Sequence, residues 1–214
     1  MTIKALEDRI GSLSKPSKMP CHGYSLPAHT CKRGSLLRQI PGSVCADCYA
    51  LKNRYLFDNV QTALYKRFDA VTSNITGWQE LITQLINRKE HSGYFRWHDS
   101  GDIQSVEHLN ALNAIALSLP HINFWLPTRE YDLVKQWDST GPQEADNLTI
   151  RLSANMVGQR APSPTLKGTK KLNTSTVGLE RSAFNCPAST QGNHCGKCRA
   201  CWDSNVPNVN YKLH

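Results

Sequence analysis

Apolar residues in the middle of the chain recur at two distinct spacings. Four segments repeat them every three or four positions, which is the period of an amphipathic helix: residues 59–73, 76–86, 105–119 and 131–137. Between and after these segments lie short runs rich in aromatic and β-branched residues, which favour strands: residues 94–98, 122–126, 148–152 and 174–177. The alternation of strands and helices predicts βαβ units with a parallel sheet.

Residues at the segment ends agree with these boundaries. Thr76 and Gln79 have the spacing of a capping box at a helix start, and Ser105 can cap the third helix, which Pro120 ends. Residues 158–173 are rich in Pro, Gly, Lys and Thr and predict a loop. The strands are too few for a complete eightfold barrel, so the expected fold is α/β, a partial or distorted parallel (β/α) barrel.

All eight cysteines lie outside this alternating region, in a group of four near each end of the chain. The first group is Cys21, Cys31, Cys45 and Cys48, and the second is Cys186, Cys195, Cys198 and Cys201. With a length of 214 residues, this arrangement predicts a single domain with three parts: a Cys-rich segment over residues 1–55, an α/β scaffold over 56–180 and a Cys-rich segment over 181–214.

The start of the chain has no apolar core of a secretory signal, and no apolar run is long enough to cross a bilayer. We therefore expect a cytoplasmic protein without membrane contact. Thiols stay reduced in that compartment, so the cysteines are expected to bind metal rather than to form disulfides.

The C-terminal group has the spacing of an iron–sulfur site. Cys195, Cys198 and Cys201 follow one another at intervals of two residues, and a remote Cys186 is followed by proline, as in ferredoxin-type cluster patterns. A structural zinc site normally uses two separated Cys-x2-Cys pairs, so the third closely spaced cysteine fits zinc less well. This group predicts a [4Fe–4S] cluster, with zinc as the alternative metal.

The N-terminal group is more widely spaced, and only Cys45 and Cys48 are close together in sequence. By itself this pattern also fits a four-cysteine zinc knuckle. The spacing leaves open how the two groups share metal, because all eight cysteines could serve one cluster or two. Our interpretation is one metal site at each end of the chain.

Polar residues gather where the predicted strands end. Seven of them follow or complete three successive strands: His98, Asp99, Asp102, Arg129, Arg151, Ser153 and Asn155. Because the carboxyl ends of parallel strands share one edge, we expect these side chains to form a site. Taken singly, the acidic residues also fit turn formers or helix caps, and the others fit loop residues or local ion pairs. As a set, we interpret the first five as catalytic candidates.

The net charge of +8 and the pI of about 9.1 favour contact with polyanions. The first quarter of the chain is especially basic, with Lys15, Lys18, Lys32, Arg33, Arg38, Lys52 and Arg54 among its residues. They are expected to form either a solvated surface or a nucleic-acid-binding surface. The chain has no phosphate-binding glycine loop, nucleotide fingerprint or Ser–His–Asp signature, so nothing in it supports a kinase or hydrolase.

Six motifs together resemble one protein family. They are Lys18-Met-Pro-Cys21, Ser25-Leu-Pro-Ala28, Cys45-Ala-Asp-Cys-Tyr-Ala50, Arg96-Trp-His-Asp-Ser-Gly-Asp102, Phe124-Trp-Leu-Pro-Thr-Arg129 and Cys195-Gly-Lys-Cys-Arg-Ala-Cys-Trp202. The family is the phage and mobile-element family called "gene product 88", and the resemblance spans nearly the whole chain. It implies a gene expressed in the cytoplasm of a bacterial host.

Part of the chain also resembles the radical S-adenosylmethionine enzymes. Residues 45–49, with two cysteines followed by an aromatic residue, resemble the end of their cluster loop, although Pro41 stands where that motif has its third cysteine. The resemblance implies that residues 98–102 take the place of a glycine-rich amine-binding loop. It also implies that Ser153 and Asn155 bind the ribose of S-adenosylmethionine.

Three functions fit these observations. The first is an iron–sulfur protein with redox or radical chemistry on an unknown small-molecule substrate, with one or two [4Fe–4S] clusters, an electron donor and S-adenosylmethionine as a candidate ligand. The second is a nucleic-acid-binding or regulatory protein of a mobile element with structural metal sites, and the third is a zinc-stapled scaffold without catalysis. The ligand count decides the chemistry, because a cluster held by three cysteines keeps an iron open to substrate, whereas four cysteines leave only electron transfer or a structural role.

Overall fold

A computed structural model of the protein describes residues 1–162 and 172–213. The helices within these ranges are α1 (Ile3–Ile10), α2 (Lys32–Leu37), α3 (Asp58–Ser73), α4 (Ile75–Lys89), α5 (Val106–Ser118) and α6 (Tyr131–Ser139). The strands are β1 (Gly23–Tyr24), β2 (Tyr94–Trp97), β3 (Asn123–Thr128), β4 (Leu148–Ser153), β5 (Asn173–Val177) and β6 (Asn208–Tyr211). Helices and strands alternate from α4 to β4, as the apolar pattern predicted.

The six described strands form one parallel sheet, and their order in the sheet follows the chain from β1 to β6. The predicted parallel α/β class is therefore confirmed. Tyr24 lies beside Trp97, and Ser153 lies beside Ser175. Because all strands run in the same direction, their carboxyl ends lie along one side of the sheet, which we call the carboxyl edge.

Helices cover one face of the sheet. Phe95 and Trp97 of β2 are buried in an apolar cluster that includes Trp78 of α4 and Leu112 of α5. Burial of each such side chain contributes roughly 2–3 kcal/mol. Side chains alternate along a strand, so Arg96, which lies between the two buried aromatic residues, faces the opposite side of the sheet.

The opposite face, which we call the inner face, is covered by the C-terminal part of the chain. Cys201 and Trp202 belong to a second apolar cluster with Trp125 of β3 and Val209 of β6. The indole N–H of Trp202 donates a hydrogen bond to Phe95 O at 2.8 Å. The C-terminal Cys-rich segment is thus packed on the sheet rather than appended to it.

One helix start differs from the expected position. The side-chain oxygen of Asn74 accepts a hydrogen bond from Gly77 N–H at 2.9 Å, and the helix begins at Ile75. The capping box predicted at Thr76 is therefore wrong, because Thr76 already lies inside α4 and Asn74 supplies the cap.

The other predicted helix and strand boundaries agree with the structure to within a few residues. Ser105 Oγ accepts the N–H of the third residue after it at 3.1 Å, and α5 ends before Pro120. Of the loop predicted over residues 158–173, residues 163–171 lie outside the described ranges, and Asn173 already belongs to β5. None of the helices in the described ranges combines the length and apolarity needed to cross a membrane.

Candidate functional site

Three cysteines come together at the carboxyl edge, in the segment that follows β1. A Cβ atom placed on Gly34 would lie 3.7 Å from Cys31 Sγ and 3.8 Å from Cys45 Sγ, so both sulfur atoms border the same small space. Burial raises the pKa of the Cys31 thiol, and nearby Asp102, Cys48 and Cys45 raise it further. We call Cys31, Cys45 and Cys48 the three-cysteine group.

Hydrogen bonds fix this segment over the ends of two strands. Val44 N–H donates to Asn155 O at 2.8 Å, which ties the residue before Cys45 to the loop after β4. Arg33 N–H donates to Glu130 Oε1 at 2.8 Å, which ties the start of α2 to the loop after β3. The fold therefore places the three-cysteine group beside the predicted polar residues of the carboxyl edge.

Asp102 is buried next to the three-cysteine group and accepts three hydrogen bonds. Its donors are Thr128 Oγ1 at 2.6 Å, Ile103 N–H at 2.8 Å and Arg129 N–H at 2.9 Å. Burial raises the pKa of the Asp102 carboxyl to about 6. These contacts join the residues after β2 to the end of β3, so they favour a bracing role for Asp102 over the predicted catalytic one.

Asp99 connects the end of β2 to the cysteine-bearing segment. Its carboxylate pairs with Arg96 Nη1 at 2.7 Å and accepts a hydrogen bond from the Tyr55 hydroxyl. Its backbone carbonyl accepts a hydrogen bond from the Tyr49 hydroxyl. Because Tyr49 directly follows Cys48, Asp99 reaches the three-cysteine group through this tyrosine.

The other predicted polar residues at this edge have separate contacts. Arg129 Nε donates to a backbone carbonyl after β4 at 3.0 Å, and its charge opposes the rise that burial causes in the pKa of the Cys45 thiol. Ser153 Oγ accepts a hydrogen bond from β5 at 3.0 Å. Asn155 Oδ1 is buried and has no hydrogen-bond partner among the residues that the structure describes. It can therefore accept a hydrogen bond from a bound molecule.

His98 faces the helices. Its ring centroid lies 5.3 Å from that of His108 and 6.3 Å from that of Trp97. Neither ring nitrogen has a hydrogen-bond partner within the described ranges, and burial lowers the pKa of His98 well below 6.5. These surroundings favour a neutral core histidine over the predicted catalytic role.

Acid is expected to destabilise the protein through this histidine pair. Burial lowers the pKa of His108 from 6.5 to about 3, so between these pH values the unfolded chain binds more protons and stability falls as pH falls. At about pH 4.5 the loss from His108 alone is expected to be roughly 3 kcal/mol. Urea denaturation at neutral pH and at about pH 4.5 measures this loss of stability.

The matched variant is His108→Asn, which keeps an acceptor for the hydrogen bond that Gln104 N–H donates to His108 Nδ1 at 3.2 Å. It should reduce the difference between the two urea midpoints, whereas the same change at the exposed His121 should leave it unaltered. An unchanged pH dependence in His108→Asn would contradict this explanation.

The remaining five cysteines lie together on the inner face, and we call them the five-cysteine group: Cys21, Cys186, Cys195, Cys198 and Cys201. Cys195 N–H donates to Lys18 O at 3.0 Å, which brings the residues before β1 against the C-terminal segment. Burial raises the pKa of the Cys21 thiol to about 12, with Glu90 and Cys195 acting in the same direction. The linear grouping of four and four thus becomes three and five, because Cys21 precedes β1 and Cys31 follows it.

All eight cysteines are free in the structure. Within residues 1–162 and 172–213, no three Cys, His, Asp or Glu side chains converge closely enough to chelate a single metal ion. A [4Fe–4S] cluster requires a different arrangement of ligands from a single metal ion, because each thiolate binds a different iron atom.

Arg151 anchors the C-terminal segment. Its side chain is completely buried, and its guanidinium donates to five backbone carbonyls at 2.6–3.2 Å, those of Ala200, Asp203, Cys201, Val206 and Thr174. A guanidinium has five N–H donors, so none remains for a substrate. This geometry favours a structural role over the predicted catalytic one.

Arg96 is a site residue that the sequence pattern did not single out. Its guanidinium carbon lies 4.5 Å from the centre of the Trp125 ring on the inner face. Its charge lowers the pKa of the thiols of Cys21, Cys195 and Cys201, although burial raises each of them overall. The signal that could have found it is its place between two buried aromatic residues of β2.

The basic residues of the first quarter are partly engaged within the chain. Lys52 pairs with Asp47, Lys32 Nζ donates to Gln104 O at 2.7 Å, and Arg38 Nη2 donates to a backbone carbonyl at 3.3 Å. Binding of DNA or RNA through this surface stays a prediction.

Comparison with known proteins identifies a family for this chain but no individual relative. No curated protein and no solved structure matches it. The family model described as "Gene product 88" matches residues 3–204, a range that includes every cysteine of both groups. The chain therefore belongs to the Gene product 88 family.

Proposed function

We propose that this is an iron–sulfur protein whose three-cysteine group holds a [4Fe–4S] cluster with one iron open to a small-molecule ligand. Three thiolates bind three of the four irons, so the fourth is left for a substrate or for S-adenosylmethionine. The observation that carries the proposal is the position of Cys31, Cys45 and Cys48 at the carboxyl edge, with Cys21 in the other group. The five-cysteine group holds a second cluster.

Two half-buried arginines beside the five-cysteine group support metal-bound thiolates there. Arg96 and Arg199 both lower the pKa of the Cys21 and Cys195 thiols. The Asp99 carboxylate already pairs with Arg96, but free thiols with raised pKa values are neutral at pH 7 and supply no negative charge beside Arg199. Metal ligation deprotonates cysteine and supplies that negative charge.

Two residues beside the three-cysteine group can orient a ligand. Arg129 lies within electrostatic range of Cys45 and can attract a carboxylate. The buried Asn155 Oδ1, unpartnered in the described part of the chain, can accept a hydrogen bond from a ligand amine or hydroxyl. A cluster bound here would supply one-electron chemistry, so the proposed reaction class is a redox or radical reaction on a small molecule.

The sheet is compatible with this interpretation. We propose that the six described strands curve into a partial (β/α) barrel, with helices outside and the C-terminal segment on the inner side. Barrel enzymes of this kind carry their active sites at the carboxyl ends of the strands. A relationship to the radical S-adenosylmethionine enzymes, an origin in a phage or mobile element and a location in the host cytoplasm belong to the same proposal.

Metal content tests the proposal directly. The full chain, purified without oxygen, is expected to contain about eight irons with matching sulfide and to absorb broadly near 400 nm until reduced by dithionite. Colourless protein with zinc and no iron would overturn the proposal. Salt-dependent binding of DNA by such protein would favour the nucleic-acid function instead.

Single cysteine variants test the division into three and five. Cys31→Ala is expected to lose about half of the iron, because only two thiolates then remain for that cluster. Cys21→Ala is expected to keep nearly all of it, because four cysteines remain in its group. Iron analysis and electron paramagnetic resonance of both variants provide the measurement. Equal loss in the two variants would mean that Cys21 and Cys31 share one cluster.

A further inference from the structure

The two cysteine groups are connected by an unbroken series of contacts on the inner face. Tyr49, which follows Cys48, donates a hydrogen bond to Asp99 O, and the Asp99 carboxylate pairs with Arg96 Nη1 at 2.7 Å. Arg96 Nη1 also lies 3.9 Å from Met19 Sδ, and that sulfur lies 3.9 Å from the thiol of the five-cysteine group's Cys195. Each member of the series contacts the next within the folded chain.

Arg96 occupies the middle of this series. Its side chain is 17% exposed, and it lies within electrostatic range of both Tyr49 and Cys201. A positive charge in such a poorly solvated place stabilises negative charge added on either side of it. Hydrogen bonds, local charge and solvent exposure are the features that set cluster reduction potentials.

The five-cysteine group borders solvent on the side of Cys195. The chain between its members is exposed at residues 189–194 and 196–197, which border Cys195 on both sides. Cys21 and Cys201, which pack against the sheet, are only 1% and 9% exposed. A protein electron donor can therefore approach the five-cysteine group from the side of Cys195.

We propose, on the basis of the function proposed above, that the five-cysteine cluster delivers single electrons to the three-cysteine cluster and that Arg96 raises the reduction potentials of both. In each transfer the donor cluster returns from the 1+ to the 2+ state and the acceptor passes from 2+ to 1+, with no bond broken. The electron comes from a one-electron protein donor of the reduced flavin or iron–sulfur class. The second cluster then transfers electrons rather than only stabilising the fold.

Redox titration tests the role of Arg96. In Arg96→Gln both clusters are expected to become harder to reduce, whereas Arg96→Lys should keep most of the wild-type behaviour. The control is Arg199→Gln, because Arg199 lies near Cys21 and Cys195 and should affect the five-cysteine cluster alone. Unchanged potentials in Arg96→Gln at full iron content would overturn the assignment to Arg96.

Rapid mixing tests the relay itself, with reduced flavodoxin as the protein donor and freeze-quench electron paramagnetic resonance as the readout. The Cys195→Ser/Cys198→Ser variant, which lacks the second cluster, is expected to reduce its remaining cluster at least about tenfold more slowly than wild type. Equal rates would overturn the relay while leaving the proposed function intact. Iron confined to the five-cysteine group in wild type would instead overturn the proposed function, and the relay with it.

Discussion

Replacement of Arg151 by methionine is expected to lower the free energy of unfolding by about 4 kcal/mol. The wild-type guanidinium is completely buried and satisfies five backbone carbonyls, four of them in the C-terminal segment and one in β5. Methionine fills a similar volume but donates no hydrogen bond. Each carbonyl left buried without a donor costs about 1–3 kcal/mol, and partial opening of the segment to water limits the total.

Urea denaturation of protein with matched iron content measures this loss. Arg151→Lys should lie between wild type and Arg151→Met, because an ammonium group has three donors for the five acceptors. The control is Arg199→Met, since the Arg199 guanidinium donates, within the described ranges, to Gly196 O at 2.7 Å and Cys198 O at 2.8 Å in its own turn and otherwise stacks on the Tyr94 ring at 5.0 Å. A small effect in Arg151→Met, similar to that in Arg199→Met, would show that these five bonds do not hold the segment.

Gly34→Ala is expected to remove most of the iron from the three-cysteine group while leaving the second cluster in place. An added Cβ would lie 2.9 Å from Cys31 Cβ, closer than carbon atoms tolerate, and would enter the space that the sulfur atoms of Cys31 and Cys45 border. Alanine has a higher helix propensity than glycine by about 1 kcal/mol, so α2 itself should not be weakened. Loss of iron would therefore report on the space between the cysteines.

The measurement is iron content with electron paramagnetic resonance of the three-cysteine cluster. Ser35→Ala, the neighbouring position in α2, is the matched control and should keep its iron. Full cluster occupancy in Gly34→Ala would show that the space beside Gly34 is not where the cluster binds.

Local sequence patterns predicted most of the α/β scaffold because the relevant physics is local. The helices and strands from α3 to β4 each bury one apolar face or run, and that periodicity is visible in the sequence alone. The polar residues at strand ends were also predicted, since parallel strands place their carboxyl ends on one edge. Asp99, Asp102 and Arg129 do lie there, next to the segment that carries Cys45.

Local patterns missed β1 and β6 because these strands depend on distant contacts. β1 has only two residues, too few for any periodicity. β6 contains asparagines, which are rare in strands. Asn210 is accommodated because its side chain accepts hydrogen bonds from Thr176 Oγ1 at 2.9 Å and Leu179 N–H at 3.0 Å, and donates to Asn185 Oδ1 at 2.7 Å. None of these partners is a near neighbour in sequence.

The sequence by itself determined the parallel α/β class and the cysteines as the candidate metal ligands. Only the tertiary structure decided which cysteines lie together, because β1 carries the chain from Cys21 on the inner face to Cys31 at the carboxyl edge. It also decided that Arg151 anchors the C-terminal segment and that Arg96 lies between the two cysteine groups. The physical reason is the same in each case: a side chain's role depends on which charges and hydrogen-bonding groups surround it, and here those groups are far away in sequence.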